Sequence, residues 1–351
     1  MPWYPLLTRS FSGPQLETIT LGHPLLDEYL AFAGVRLRLN SWLAVAFDLK
    51  VFFTVIGKEP AAVTTADVFA FIKAQRAPRL GPNVVRLEDG EAGLSARTIK
   101  RRLASVSGLY AYLVVRADLG VKQNPVPRGT TTRRPTRRAG RWAPPLIRTP
   151  RTLPRVLSPP EVDRFVAALR THRDRAMVEA MLLGGLRRCE VLGLRLKDVS
   201  AGEHRLFVAE GKGGHQRSVP VSKRFFVTLS EYLARERPDT DVDRVFVVLK
   251  GSRRGQPLSA YGLDEIVDGA RDRAGIAHLT CHQLRHTCLT RLREAGMALE
   301  AVQAQAGHRS IESTRIYVHL ANSWLVEQYT RAAAAIEADL GTAAGDVTGG
   351  R

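Results

Sequence analysis

Acidic residues are in short supply. Asp and Glu number 34 against 52 Lys and Arg, leaving a formal net charge of +18 and a pI near 10.5. That imbalance disfavours a basic partner and favours a polyanion, either nucleic acid or an anionic membrane surface. Long hydrophobic runs are not evident either. No stretch reads as the ~18 apolar residues a membrane span needs, and the N-terminal MPWYPLLTRS lacks the basic-then-apolar layout of a signal peptide. Cysteine is scarce: Cys189, Cys281 and Cys288 are odd in number and show no paired spacing. This excludes a disulfide framework and predicts reduced core thiols in a cytoplasmic protein. A nucleotide-binding phosphate loop is missing too, because Gly211-Lys212-Gly213-Gly214 has neither the leading glycine nor the Ser/Thr after lysine. Nucleic acid is the expected partner, and a membrane is not.

A chain of 351 residues, 44% hydrophobic and 25% charged, can bury the cores of two domains. Residues 1–20 show no clear periodicity and are expected to form a loose arm. Residues 21–120 read as helical. Leu25, Leu26, Tyr29 and Phe32 suggest one face, and Leu43, Phe47, Val51 and Phe52 another. Thr65-Ala66-Asp67 opens a third helix. Ser95 starts a fourth, with the face Ile99, Leu103, Val106, Tyr110 and Leu113 and with Lys100, Arg101 and Arg102 beside it.

From Leu119 to Pro160 the composition changes, to ten Lys/Arg, no Asp or Glu, and nine prolines. Such a run forms neither a long helix nor a core. Residues 121–157 are therefore expected to be an interdomain linker whose charge, with Arg133, Arg134, Arg137 and Arg138 at its centre, is neutralised by a DNA backbone. Ser158-Pro159-Pro160-Glu161 restarts order as a capped helix start. Arg205–Glu210 and Arg217–Val221 alternate like a hairpin around Gly211-Lys212-Gly213-Gly214. Val245–Leu249 reads as another strand and Leu263–Ala274 as a helix.

Residues 278–320 carry the chemistry. Thr280 and Gln283 form a capping box, Leu284, Cys288, Leu289 and Leu292 an apolar stripe, and Gly296 and Gly307 suit the left-handed ends of two short helices. His282 and Arg285 share one helix face, His308 follows Gly307, and Tyr317 lies just beyond. Arginine offers phosphate oxygens a planar fork, histidine moves protons near neutral pH, and tyrosine can be a nucleophile. Singly, each residue has a plainer explanation: a helical tyrosine usually packs, adjacent arginines usually face solvent, and Gly-Lys-Gly-Gly suits any exposed hairpin tip.

The order of the motifs resembles that of the tyrosine recombinases, the phage integrase family. His282-Gln283-Leu284-Arg285-His286, then Ala306-Gly307-His308-Arg309-Ser310, then Tyr317 match the family's C-terminal signature. Gly185-Leu186-Arg187-Arg188-Cys189-Glu190 and Lys212 in its glycine-rich turn supply the upstream parts. The resemblance implies a mainly α (α+β) fold: a helical core-binding domain, then a catalytic domain over residues 158–321 of the DNA breaking-rejoining type with a small antiparallel sheet. It implies that Tyr317 attacks the scissile phosphate and forms a 3′-phosphotyrosyl link. Arg187 and Arg285 would hold non-bridging oxygens, Lys212 would protonate the leaving 5′-oxygen, His282 would accept the tyrosine proton, and His308 would donate to phosphate. Glu190 would orient this region, and His286 is read as a hydrogen-bonded helix residue. Bond energy kept in the covalent link removes the need for ATP or a metal, so no cofactor is expected.

The implied partner is double-stranded DNA with paired half-sites, bound by a homo-oligomer that is a dimer per site and a tetramer in synapse, in the bacterial cytoplasm at the nucleoid. Residues 322–351 carry Trp324, Leu325, Tyr329 and Ile336 at helical spacing, then a small, polar tail. Two rivals remain at this point. A type IB topoisomerase-like enzyme would share the chemistry without partner exchange, and a DNA-binding regulator would keep the fold without turnover.

Overall fold

The computed structural model describes residues 3–13, 15–78, 93–116, 120–127, 146–148, 155–209, 216–307, 314 and 330. The chain divides into two compact units, Met1–Arg151 and Thr152–Arg351.

The first unit begins with an antiparallel hairpin, β1 (Thr8–Ser12) and β2 (Gln15–Thr20). This corrects the loose arm expected over residues 1–20. β1 is exposed throughout, but Ile19 and Leu21 are buried in the helical core, and Trp3 donates its indole N–H to the Gly22 carbonyl at 3.0 Å. Four helices follow: α1 (Pro24–Arg36), α2 (Leu39–Ile56), α3 (Thr65–Arg76) and α4 (Ala96–Val115). Local signals set their ends. Pro24 occupies the first turn of α1, Gly57 closes α2 in the left-handed region (φ 63°), and Thr64 with Asp67 caps α3 reciprocally.

The face of α4 is the one its periodicity predicts: Ile99, Leu103, Val106, Tyr110 and Leu113 are all buried. On α1 and α2 the expected faces are partly turned. Leu26, Leu30 and Ala33 go inward on α1, and Trp42, Ala46, Leu49 and Phe53 on α2, while Phe32 and Phe47 are exposed. A close approach fixes α1 on α2: a Cβ added at Gly34 would meet the Trp42 ring at 2.9 Å. The expected lack of any span-length apolar run is also corrected, since α2 has 18 residues of mean hydropathy 1.5. Its inner face is spent on the core, and buried Asp48 interrupts it.

Two pieces of the stretch expected to be a free linker pack on this unit. Asn124 donates to the Ser107 carbonyl at 2.9 Å and accepts from Val126 N–H at 3.0 Å. Further on, Ile147 is buried in the helical core with Leu146 against it. Arg133, Arg134, Arg137 and Arg138 lie outside the described residues.

The second unit starts with α5 (Pro159–Ala167), capped by the reciprocal Ser158–Glu161 pair, and continues with α6 (His172–Gly184) and α7 (Arg188–Gly193). A small antiparallel sheet follows, β3 (Val199–Ser200), β4 (Arg205–Val208) and β5 (Arg217–Pro220), in that order and with Val208 opposite Arg217. Then come α8 (Lys223–Arg235), α9 (Ala260–Arg273), α10 (Cys281–Glu294) and α11 (Leu299–Ala306). Val245–Leu249 is not a strand but is held by isolated bridges, Arg195 to Arg244 and Val247 to Pro257.

Ten of the thirteen residues of α6 are buried, which makes it the central helix of this core. Helices α8 and α10 pack against it. Cys281 and Cys288 are buried as expected, whereas Cys189 on α7 is exposed and is not a core thiol.

Candidate active site

Three chain ends converge beside α6. Gly185 ends that helix in the left-handed region (φ 66°), and its carbonyl accepts from Arg285 Nη1. The chain then turns into α7 with Arg187 at its N-cap and Glu190 in its first turn. The C-terminal end of α11 arrives from the other side. Gln305 donates to the carbonyls of Gly184 (2.9 Å) and Pro220 (3.0 Å), and Gly307 closes the helix with φ 59°.

Glu190 is the hub of this junction. Its carboxylate accepts the backbone N–H of Arg187 at 2.8 Å and Arg187 Nη1 at 2.7 Å. Arg217, the first residue of β5, grips the same carboxylate with both Nη groups, each at 2.9 Å. Arg285 Nη1 stands 3.9 Å from Oε2. Arg285 is 1% exposed; besides Gly185 it reaches the Ala306 carbonyl at 2.6 Å, and Arg187 Nη2 reaches the Gly307 carbonyl at 3.2 Å. Burial pushes the Glu190 carboxyl up, but the Arg217 fork, the Arg187 N–H and the two guanidinium charges outweigh it and hold it at about 2. One carboxylate therefore stays ionised among three guanidinium groups. The surplus is positive and the forks are held by protein partners, an arrangement whose chemistry suits an anion.

His282 lies at the exposed start of α10. Its ring meets His286 edge-on at 4.3 Å. His286 is half-buried, and burial, then His282 and Arg285, push it down to about 4, so it is neutral near pH 7. The adjacent arginines have separate fates: Arg187 turns in to Glu190, while exposed Arg188 pairs with Asp264 on α9. Lys212, His308 and Tyr317 lie outside the described residues.

Arg217 lies outside the motifs that single out the other site residues. A signal was present, because Arg217 and Val219 lie two apart on a strand and so share a face, and Val219 is fully buried. A cation on that face needs a partner, and a nearby glutamate was already singled out.

In the first unit, Lys100 is exposed. Arg101 is half-exposed and lies 2.5 Å from Asp48. Arg102 turns inward to Gln75 and to Asp48 at 3.8 Å, so its fork is used inside the unit rather than presented to a partner.

Residues 155–323 match the Phage integrase family. Over 321 residues the chain is 31% identical to tyrosine recombinase XerC of Xylella fastidiosa strain M23, covering 88% of this chain and 96% of that one. The chain belongs to the tyrosine recombinase family. XerC of Corynebacterium efficiens is 34% identical over 250 residues, 69% of this chain and 73% of the relative. Among solved structures, the fold is similar to that of the XerH recombinase bound to palindromic difH, with TM-score 0.62, 21% identity, and 83% and 80% of the two chains covered. It is also similar to the Tn1549 transposon integrase in complex with transposon right end DNA, with TM-score 0.63, 17% identity, and 84% and 93% covered. The mainly helical fold with small antiparallel sheets is that of the family, and the protein is a tyrosine-type site-specific recombinase.

Proposed function

We propose that this recombinase cleaves and rejoins duplex DNA through a 3′-phosphotyrosyl intermediate on Tyr317, in the service of a mobile element or of chromosome or plasmid resolution. The observation that carries the reading is the meeting of Arg187 and Arg285, far apart in sequence, at the buried Glu190 carboxylate. In this mechanism the two guanidinium forks take the non-bridging oxygens of the scissile phosphate and stabilise the added charge of the pentacoordinate state. Tyr317 attacks phosphorus, and its proton passes to His282. Lys212 protonates the departing 5′-oxygen as general acid, and His308 donates a further hydrogen bond to phosphate. Rejoining reverses these steps, and the link conserves the bond energy, so ATP is not consumed.

Lys100, Arg101 and the basic run with Arg133, Arg134, Arg137 and Arg138 provide positive charge for the duplex backbone. Paired half-sites, a dimer on each and a tetramer in synapse are the assembly we infer. A lambda integrase of the same fold is known as a dimer on a COC′ core site, which supports the dimer.

The test uses a nicked suicide duplex carrying half-sites recovered from random DNA by binding selection. The unaltered chain should give a covalent adduct, and Tyr317→Phe should bind the duplex but give none. An adduct persisting in Tyr317→Phe, or mapping to Tyr329, would refute the nucleophile. Lys212→Ala should cleave slowly and recover on a bridging 5′-phosphorothiolate, whose sulfur leaves without a proton; absence of rescue would remove Lys212 as the acid.

A further inference from the structure

We propose that Arg217 is a positioning residue for strand cleavage: its guanidinium fixes the Glu190 carboxylate between Arg187 and Arg285 and braces the Gly307 turn that leads into His308. The inference rests on the strand-cleaving reading above. Its side chain is 13% exposed and every part of the fork is used. Nη1 and Nη2 take one oxygen each of Glu190, both at 2.9 Å, and Nε donates to the Gln305 carbonyl at 3.3 Å. A Cβ added at Gly307 would come within 3.0 Å of the guanidinium, so the turn is moulded against it. Arg217 also opens β5, shortly after Lys212 in the sequence. One planar group thus ties together the first turn of α7, the start of β5 and the C-terminal end of α11.

The fork geometry matters more than the charge alone. Glu190 Oε1 is shared between Arg187 Nη1 and Arg217 Nη1; Oε2 receives the Arg187 N–H and Arg217 Nη2, with Arg285 nearby. With Arg217 gone, Arg187 alone would clamp a carboxylate that burial disfavours as an anion, and the arginine could swing with it. Among the described residues, the charged groups facing Glu190 are Arg187 at the start of α7, Arg217 on β5 and Arg285 on α10; His282 and His286 lie on either side of Arg285 in α10. Losing one of these cations should let Glu190 take a proton at higher pH, so cleavage should suffer most at the acid end.

The experiment is single-turnover cleavage of the suicide duplex by the full chain, at saturating DNA, from pH 5 to 9. Arg217→Met should cleave about 10- to 100-fold more slowly, a loss of the size met when an outer partner of a metal-holding side chain is removed. Half-site affinity should stay within about threefold, and the deficit should grow towards pH 5, where the parental Glu190 is still ionised. Arg217→Lys, which keeps the cation but not the fork, should recover part of the rate. Arg217→Met combined with Glu190→Gln should be slower than Glu190→Gln alone by less than the full Arg217→Met loss, because the two share one carboxylate. A parental rate, a deficit equal at every pH or additive losses would overturn the proposal. Should Arg217→Met fail to fold, Arg217→Lys carries the test, and a parental rate there overturns it. An unaltered chain that forms no adduct would instead overturn the strand-cleaving reading itself, and this one with it.

Discussion

Replacing Glu190 by glutamine keeps the side chain's shape and removes its charge from the centre of three arginines. The carboxyl falls from an ordinary 4.5 to about 2 on folding, against the pull of its own burial, because the Arg217 fork, the Arg187 N–H and the charges of Arg217 and Arg187 all favour the anion. A group acidified by folding stabilises the native state fully above its unfolded pKa, and that stabilisation is lost as pH falls towards the folded value. At about 1.4 kcal/mol per unit, Glu190 contributes roughly 3 kcal/mol at pH 7, about 2 at pH 3.5 and about 1.4 at pH 3. The carboxylate is fully buried, so solvent screening takes little from these figures. Urea unfolding of the full chain, followed by circular dichroism from pH 7 down to pH 3.5, should show Glu190→Gln less stable by about 3 kcal/mol at neutral pH. The gap should narrow steadily below about pH 4.5. A gap that is absent at pH 7, or that stays constant to pH 3.5, would refute the electrostatic account of this junction.

What could be read directly from residues was local. The α4 face was legible because five apolar residues keep helical spacing over its whole length, and the starts of α5 and α10 because Ser158–Glu161 and Thr280–Gln283 are reciprocal caps. The β1–β2 hairpin was not, since TRSFS is exposed on every residue and offers no alternation, and the register shifts between Ser10 and Phe11. On α2 apolar residues surround the helix almost entirely, so periodicity could not choose between Phe47 and Phe53 as the inward ring. Ile147 was hidden in a run of proline and arginine, where two apolar side chains carry no period. In the site, Arg187, Glu190 and Arg285 could be named from motif order. Their convergence and the Arg217 clamp could not, because they depend on pairings across 27 and more residues that only the packing of α6, β5 and α11 brings about.

In the helical unit, Arg102→Ala should lower stability by about 1–3 kcal/mol, since it takes a cation from buried Asp48. Exposed Lys100→Ala should leave melting unchanged and weaken duplex binding; the reverse pattern would return Arg102 to the DNA surface. Changing Arg133, Arg134, Arg137 and Arg138 together to alanine should weaken all duplexes alike. The slope of log affinity against log salt should flatten by roughly 0.9 for each phosphate no longer neutralised, and an unchanged slope would mean this run does not touch DNA. The last test separates backbone strain from site geometry. Gly307 has φ 59°, and a Cβ there would press on the Arg217 guanidinium at 3.0 Å; Gly275 has φ 65° with nothing within 4 Å. Alanine at either position carries the left-handed penalty of about 1–2 kcal/mol, so both variants should melt lower by similar amounts. Only Gly307→Ala also crowds the Arg217 guanidinium, which must give by a few tenths of an ångström where it grips Glu190, so only that variant should lose single-turnover cleavage, at a temperature where both remain folded. If Gly307→Ala cleaves as Gly275→Ala does, the guanidinium can yield without consequence, and the tight fit of Arg217 against the turn before His308 is packing rather than a part of the recombinase's cleavage geometry.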